Sequence, residues 1–223
     1  MLPRMDVKYL TRDWARATAK PGLDVWRHLP DAERRELIAR VPSLIDGPPP
    51  DAEFTLVRKR DLSFYPDHQL CEFSDPTVMP PGGRRYAVIG ADRTVMIDWT
   101  NGPVYKLNAE VPIRLSGNSV RDYVRFFFRY IRGRHGFFHL IERLDDIPFA
   151  EEPNEGKRMV LVHCLHPLIL TETTDGSYRL HASILFKDRL FSSRVSVAVD
   201  GVVSMDNEEV MVDTVGARQD ADS

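Results

Sequence analysis

A chain of 223 residues with 43% hydrophobic and 28% charged side chains has the composition of a folded globular protein with a sizeable core. A formal net charge of −3 provides no global basic field, which argues against a dedicated nucleic-acid binder. Two cysteines, Cys71 and Cys164, without CxxC spacing exclude a disulfide scaffold and point to reduced thiols in the cytoplasm.

Residues 1–45 read as a helical N-terminal arm. In "DVKYLTRDWARATAK", Val7, Leu10, Trp14 and Ala17 recur at spacings of three and four, and Pro21–Gly22 stops the run. The start "MLPRMDVKYLTRDW" has no apolar signal-peptide core, and no run approaches the roughly 18 apolar residues of a membrane span. A second helix, "PDAERRELIARV", opens on Pro30, a residue suited to a first turn, and carries Leu37, Ile38 and Val41 on one side. Residues 46–51, "DGPPPD", form a stiff linker, and 52–212 are expected to form the core domain.

Past the linker the pattern turns to strands. "EFTLVRKR" and "HQLCEF" are candidates, "RRYAVIG" and "TVMIDWT" flank "ADR" as a hairpin, and Asn101–Gly102 reads as a tight reversal. "GFFHLIER" reads as a strand, and "DDIPFAEEPNEGK" as a polar loop long enough for a flap. Four β-rich runs follow: "RMVLVHCLHPLIL", "SYRLHASILF", "LFSSRVSVAV" and "VVSM". Asp200–Gly201 between the last two predicts a type I′ hairpin turn. Residues 213–223 are expected to be a disordered tail. The elements predict an α+β fold: a largely antiparallel sheet of about seven to nine strands on one central helix.

That helix, 119–132, lies in "SVRDYVRFFFRYIRGRHGFF". Ser119 and Asp122 form a capping-box-like start, and Gly133 suits the stop. At about 100° per residue, Val120, Tyr123, Val124, Phe127, Tyr130 and Ile131 occupy an arc of about 120°, with Phe126 and Phe128 flanking it. Arg121, Arg125, Arg129 and Arg132 fall within about 80° on the other side. Rings and cations are segregated, as a core-facing amphipathic helix requires; a strand-binding surface sets them side by side. The arginine ridge is a candidate anion site, and its expected cover is the acidic loop at 145–155.

Candidate chemistry is sparse. "HCLH" suggests metal ligation, but on a strand His163 and His166 point to opposite faces, and no second Cys/His pair completes a site. His181 stands with Arg179 and Ser183 on the polar side of a period-two strand, where a cleft enzyme places acids and bases and a binding module its ligand contacts. Asp98 beside Trp99 is a candidate carboxylate with a turn-capping alternative. Tyr65 and His68, around a proline turn, suit a ligand rim. No nucleotide-binding glycine loop, GxSxG, HExxH or SxxK occurs, and no cofactor or metal is expected. The leading expectation is a non-enzymatic cytoplasmic binding module, a possible homodimer recognising a protein partner or small ligand. A small isomerase- or hydrolase-like cleft enzyme using His181 with His163 or Asp98 is the alternative, and anion or nucleic-acid binding by the ridge is a third.

Overall fold

The computed structural model describes residues 25–41, 50–75, 84–134 and 136–218. The helix expected over 7–17 and most of the 46–51 linker lie outside them.

The α+β, antiparallel expectation holds, with the strands divided between two sheets. The first contains β1 (Arg27–His28), β2 (Leu56–Leu62), β3 (Tyr65–Ser74), β4 (Arg84–Ile89) and β5 (Thr94–Ile97), each paired with the next. The "ADR" hairpin joins β4 to β5, with Ile89 opposite Thr94 and the loop closed by Gly90 N–H to Arg93 C=O (2.9 Å). In the second sheet β10 (Val203–Val212), β9 (Arg189–Val197) and β8 (Ser177–Phe186) run side by side. The other edge of β8 is shared by β7 (Ile169–Thr174), against its first half, and β6 (Phe138–Leu140), against its second.

Four helices complete the described fold: α1 (Asp31–Arg40), α2 (Gly102–Glu110), α3 (Ser119–Tyr130) and α4 (Glu155–Cys164), with a 3-10 turn at Leu144–Asp146. Leu62, Leu70, Tyr86 and Val88 of the first sheet, Val120 to Ile131 of α3, and Leu180, Ala182, Ile184, Val195 and Val197 of the second sheet form one continuous core. The central helix therefore fills the space between two sheets, which explains its wide apolar face. Tyr123, Phe126 and Tyr130 are among the largest fully buried side chains, and burying each contributes about 1.5–3 kcal/mol. The outer face of the first sheet (Val57, Cys71, Phe73, Ala87, Ile89) is covered by Ile38 and Val41, so α1 packs in cis. The outer face of the second sheet meets α4 and the C-terminal segment around Ile141, Leu161, Leu185, Leu190 and Val215.

Several local expectations are corrected. Asn101–Gly102 does not turn a hairpin; it opens α2, where Pro103 suits the first turn because its missing N–H has no helical partner there. The run 158–164 is helix, not strand, started by Asn154 Oδ1 accepting from Lys157 N–H (2.9 Å). The α3 cap is made by Ser116 and Ser119, each hydroxyl accepting from the other's backbone N–H (2.8 and 3.1 Å), while Asp122 accepts from Ser63. Only Gly201 of the Asp200–Gly201 pair has positive φ (81°). The connection is a three-residue loop ending on glycine, closed by Gly201 N–H to Ala198 C=O (2.8 Å). The two-residue turn with positive φ at both positions is Asp175–Gly176 between β7 and β8.

Residues 213–218, expected to be disordered, are tied down. Asp188 accepts at its carboxylate from Gly216 and Ala217 N–H (2.6 and 2.8 Å), and Val215 is fully buried.

Candidate functional site

The polar side of β8 brings together residues singled out in the sequence. Alternation puts Tyr178, Leu180 and Ala182 into the core and leaves Arg179, His181 and Ser183 on the outer face. Register then sets Arg194 opposite His181 and Ser192 opposite Ser183, so one face carries all four. His181 Nε2 lies 2.6 Å from Ser192 Oγ. The ring of His166 stacks on that of His181 at 4.3 Å, and His166 Nδ1 lies 3.1 Å from the Pro167 carbonyl. Burial, and then the neighbouring His166, hold the His181 imidazole below its ordinary pKa, so it is neutral at pH 7. Among the described residues, His166 Nε2 and Ser183 Oγ are buried without a hydrogen-bond partner. Arg179 is paired with Glu172 (2.5 Å) and stands apart from this cluster.

The other candidates lie elsewhere. His163 sits on the exposed side of α4's last turn, because the segment is helical; His166, past the helix end, is the histidine that reaches His181. Asp98 follows β5 on the first sheet, where its Oδ1 accepts from the Thr100 N–H and hydroxyl (2.9 and 2.7 Å) as a turn cap. Tyr65 and His68 do not form a rim. Tyr65 is buried and donates to Asn108, and His68 is buried against Gly90. Among the described residues no group of three or more His, Cys, Asp and Glu side chains is arranged to hold a metal ion.

The arginine ridge divides in two. Arg121 donates to the Gly117 carbonyl (2.7 Å), and Arg125 makes a forked pair with Glu142 (2.7 and 2.8 Å). Burial opposes the charge on Glu142, but the Arg125 hydrogen bond and charge, with Leu168 N–H, outweigh it and hold the carboxyl below its usual range. The cover expected from 145–155 is not there: Asp146 caps the Glu142 and Arg143 N–H groups, and Glu152 pairs with Arg158. Arg129 and Arg132 reach aromatic rings instead.

Two features escaped the sequence reading. The outward face of α4 exposes Met159 (68%), Val160 (54%) and Val162 (54%), while only Leu161 of the helix is buried. Two open recesses, of about 210 Å³ and about 360 Å³, lie on the first sheet, and neither is lined by His181. No helix among the described residues is long and apolar enough to cross a membrane. No family model, curated protein or solved structure matches the chain.

Proposed function

We propose that the protein is a non-enzymatic cytoplasmic binding module that recognises a protein partner through the outward face of α4, and that this partner is a second copy of the chain. The carrying observation is the exposure of Met159, Val160 and Val162 on one ten-residue helix. At about 100° per residue they bound one sector of roughly 160°, which also contains Glu155, Gly156 and His163. Apolar surface rimmed by charge marks an interaction site. An antiparallel two-fold pair sets Met159 against the partner's Val160 and the side-chain-free Gly156 against the partner's His163. It also brings the acidic start of α4, with Glu155, near the partner's His163. The free thiols of Cys71 and Cys164 suit a reducing compartment. Sedimentation over a wide concentration range tests the reading. The expected result is a weak dimer that Met159→Glu or Val162→Glu abolishes without lowering the unfolding temperature. A chain that stays monomeric throughout, or a dimer indifferent to both substitutions, overturns it.

The His181–Ser192 contact favours a second reading, a hydrolase in which neutral His181 takes the Ser192 proton as the hydroxyl attacks an ester carbonyl and gives it to the leaving alcohol. Water, deprotonated by His181, then attacks the acyl-serine, and the proton returns to Ser192 Oγ as the carboxylic acid leaves. Hydrolysis of an activated aryl ester, lost in Ser192→Ala, supports that reading; equal rates for the two proteins reject it.

A further inference from the structure

Where the C-terminal end of α3 covers the inner face of the first sheet, a run of rings is flanked by arginines. The Trp26 ring lies under Arg58 (4.8 Å) and Arg60 (5.3 Å). Arg60 also approaches the ring of Tyr130 (6.0 Å), and Arg129 stands over that same ring (6.0 Å). Tyr130 packs on Tyr86 (4.8 Å), Tyr86 meets Trp99 edge-on (5.7 Å), and Trp99 meets Phe137 (5.8 Å). Arg132 closes the series over Phe137 (4.2 Å) and Trp99 (5.9 Å). Tyr86 and Tyr130 are buried and fix the spacing, while Trp26, Trp99 and Phe137 are half-buried and present ring surface.

The charge along this rim is one-sided. Glu72 is buried and committed to a forked pair with Arg58 (2.8 and 2.9 Å). Asp98, next to Trp99, is turned into its own Thr100 cap. Arg129 and Arg132 are exposed, and among the described residues neither has a carboxylate within ion-pair distance; Arg134 beyond them is exposed too. The recess of about 210 Å³ at the Arg58 end adds His28, Ser74 and Arg84 to the same rim. The formal charge of −3 therefore hides a local cationic band.

We propose that this rim binds single-stranded nucleic acid. Guanidinium groups of Arg129, Arg132 and Arg84 meet successive phosphates, and unpaired bases stack on Trp26, Trp99, Phe137 and the guanidinium planes laid over them. Phosphate alone needs only the cations; the rings spaced between them fit a ligand that alternates charge with flat aromatic groups. A duplex keeps its bases stacked inside and leaves the rings unused. On α3 alone rings and arginines stand on separate faces, and the interleaving arises because Trp26 before β1, Arg58 and Arg60 of β2, Trp99 after β5 and Phe137 supply the missing partners.

The test is fluorescence anisotropy with a labelled oligothymidine and a matched duplex, titrated with the full chain at several salt concentrations. The strand is expected to bind more tightly than the duplex, with a log–log salt slope of about −2, at about −0.7 per phosphate contact. The double variant Arg129→Ala/Arg132→Ala is expected to weaken binding at least ten-fold and flatten that slope. Phe137→Ala should weaken strand binding about ten-fold with the slope unchanged, the signature of a lost stack. Arg121→Ala, at the other end of the ridge, should leave both unchanged. Absence of saturable binding at low salt overturns the proposal. So does equal affinity for duplex, equal displacement by polyglutamate, or indifference to the double arginine variant.

Discussion

The Tyr123 hydroxyl donates to the Gly201 carbonyl across 2.7 Å, fastening the middle of α3 to the turn between β9 and β10. Asn108 Nδ2 donates to the Tyr123 hydroxyl oxygen (3.2 Å), and Tyr65 of β3 donates to Asn108 Oδ1. A buried polar chain thus runs from the first sheet, through α2 and α3, to the second. Tyr123→Phe leaves a buried carbonyl and a buried amide unsatisfied and should cost about 1–3 kcal/mol, read as a lower urea midpoint. Gly201→Ala should cost more. Its Cβ would stand 2.4 Å from Asn108 Nδ2, at a backbone φ of 81° that alanine resists.

Glu142 predicts an acid-side dependence. Its folded pKa is depressed, so its contribution is complete above the unfolded value near 4.5 and is lost as the pH falls through the lower folded value. Urea midpoints should drop between about pH 5 and about pH 3 in the native chain. Glu142→Gln, already without the ion pair, should start lower and show a shallower drop.

His181 predicts a second window at higher pH. The unfolded imidazole takes up a proton near pH 6.5, while the folded one resists until a lower pH because it is buried beside His166. Stability should therefore be full above about pH 7 and decline as the pH falls through 6.5 toward the folded pKa. Buried His68 is shifted in the same direction and adds to the effect. His181→Gln should flatten part of the slope between about pH 7.5 and about pH 5.5 in urea titrations.

The two thiols should separate cleanly. Cys71 is buried under α1, and that burial pushes its thiol up to about 12, whereas Cys164 is only half-buried at the end of α4. A disulfide reagent at pH 8 should titrate one group quickly in the folded chain and the second only in denaturant. Cys164→Ser should remove the fast phase.

Period-two alternation made β8 legible, and the helical wheel made α3 legible, because each pattern belongs to one element. The division into two sheets was not, since alternation marks a buried face without naming what covers it. Residues 158–164 misled because Met159, Val160 and Val162 are apolar for a surface helix, and β-branched valines imitate a strand. The helix-start signal, Asn154 accepting from Lys157 N–H, was absorbed into what read as a polar loop. The His166–His181 stack joins a post-helix segment to a strand across fifteen residues, and the rim from Trp26 to Phe137 joins residues more than a hundred apart. No local spacing encodes either.

The fastening of residues 215–217 to Asp188 has a consequence for where the chain can be shortened. Cutting after Val212 would spare every strand, yet it would remove Val215 from the hydrophobic cluster beneath α4 and leave the Asp188 carboxylate without its two amide donors. The smallest piece able to keep α4 seated therefore extends through Ala217, five residues beyond the final strand at which a secondary-structure diagram would invite the cut to begin.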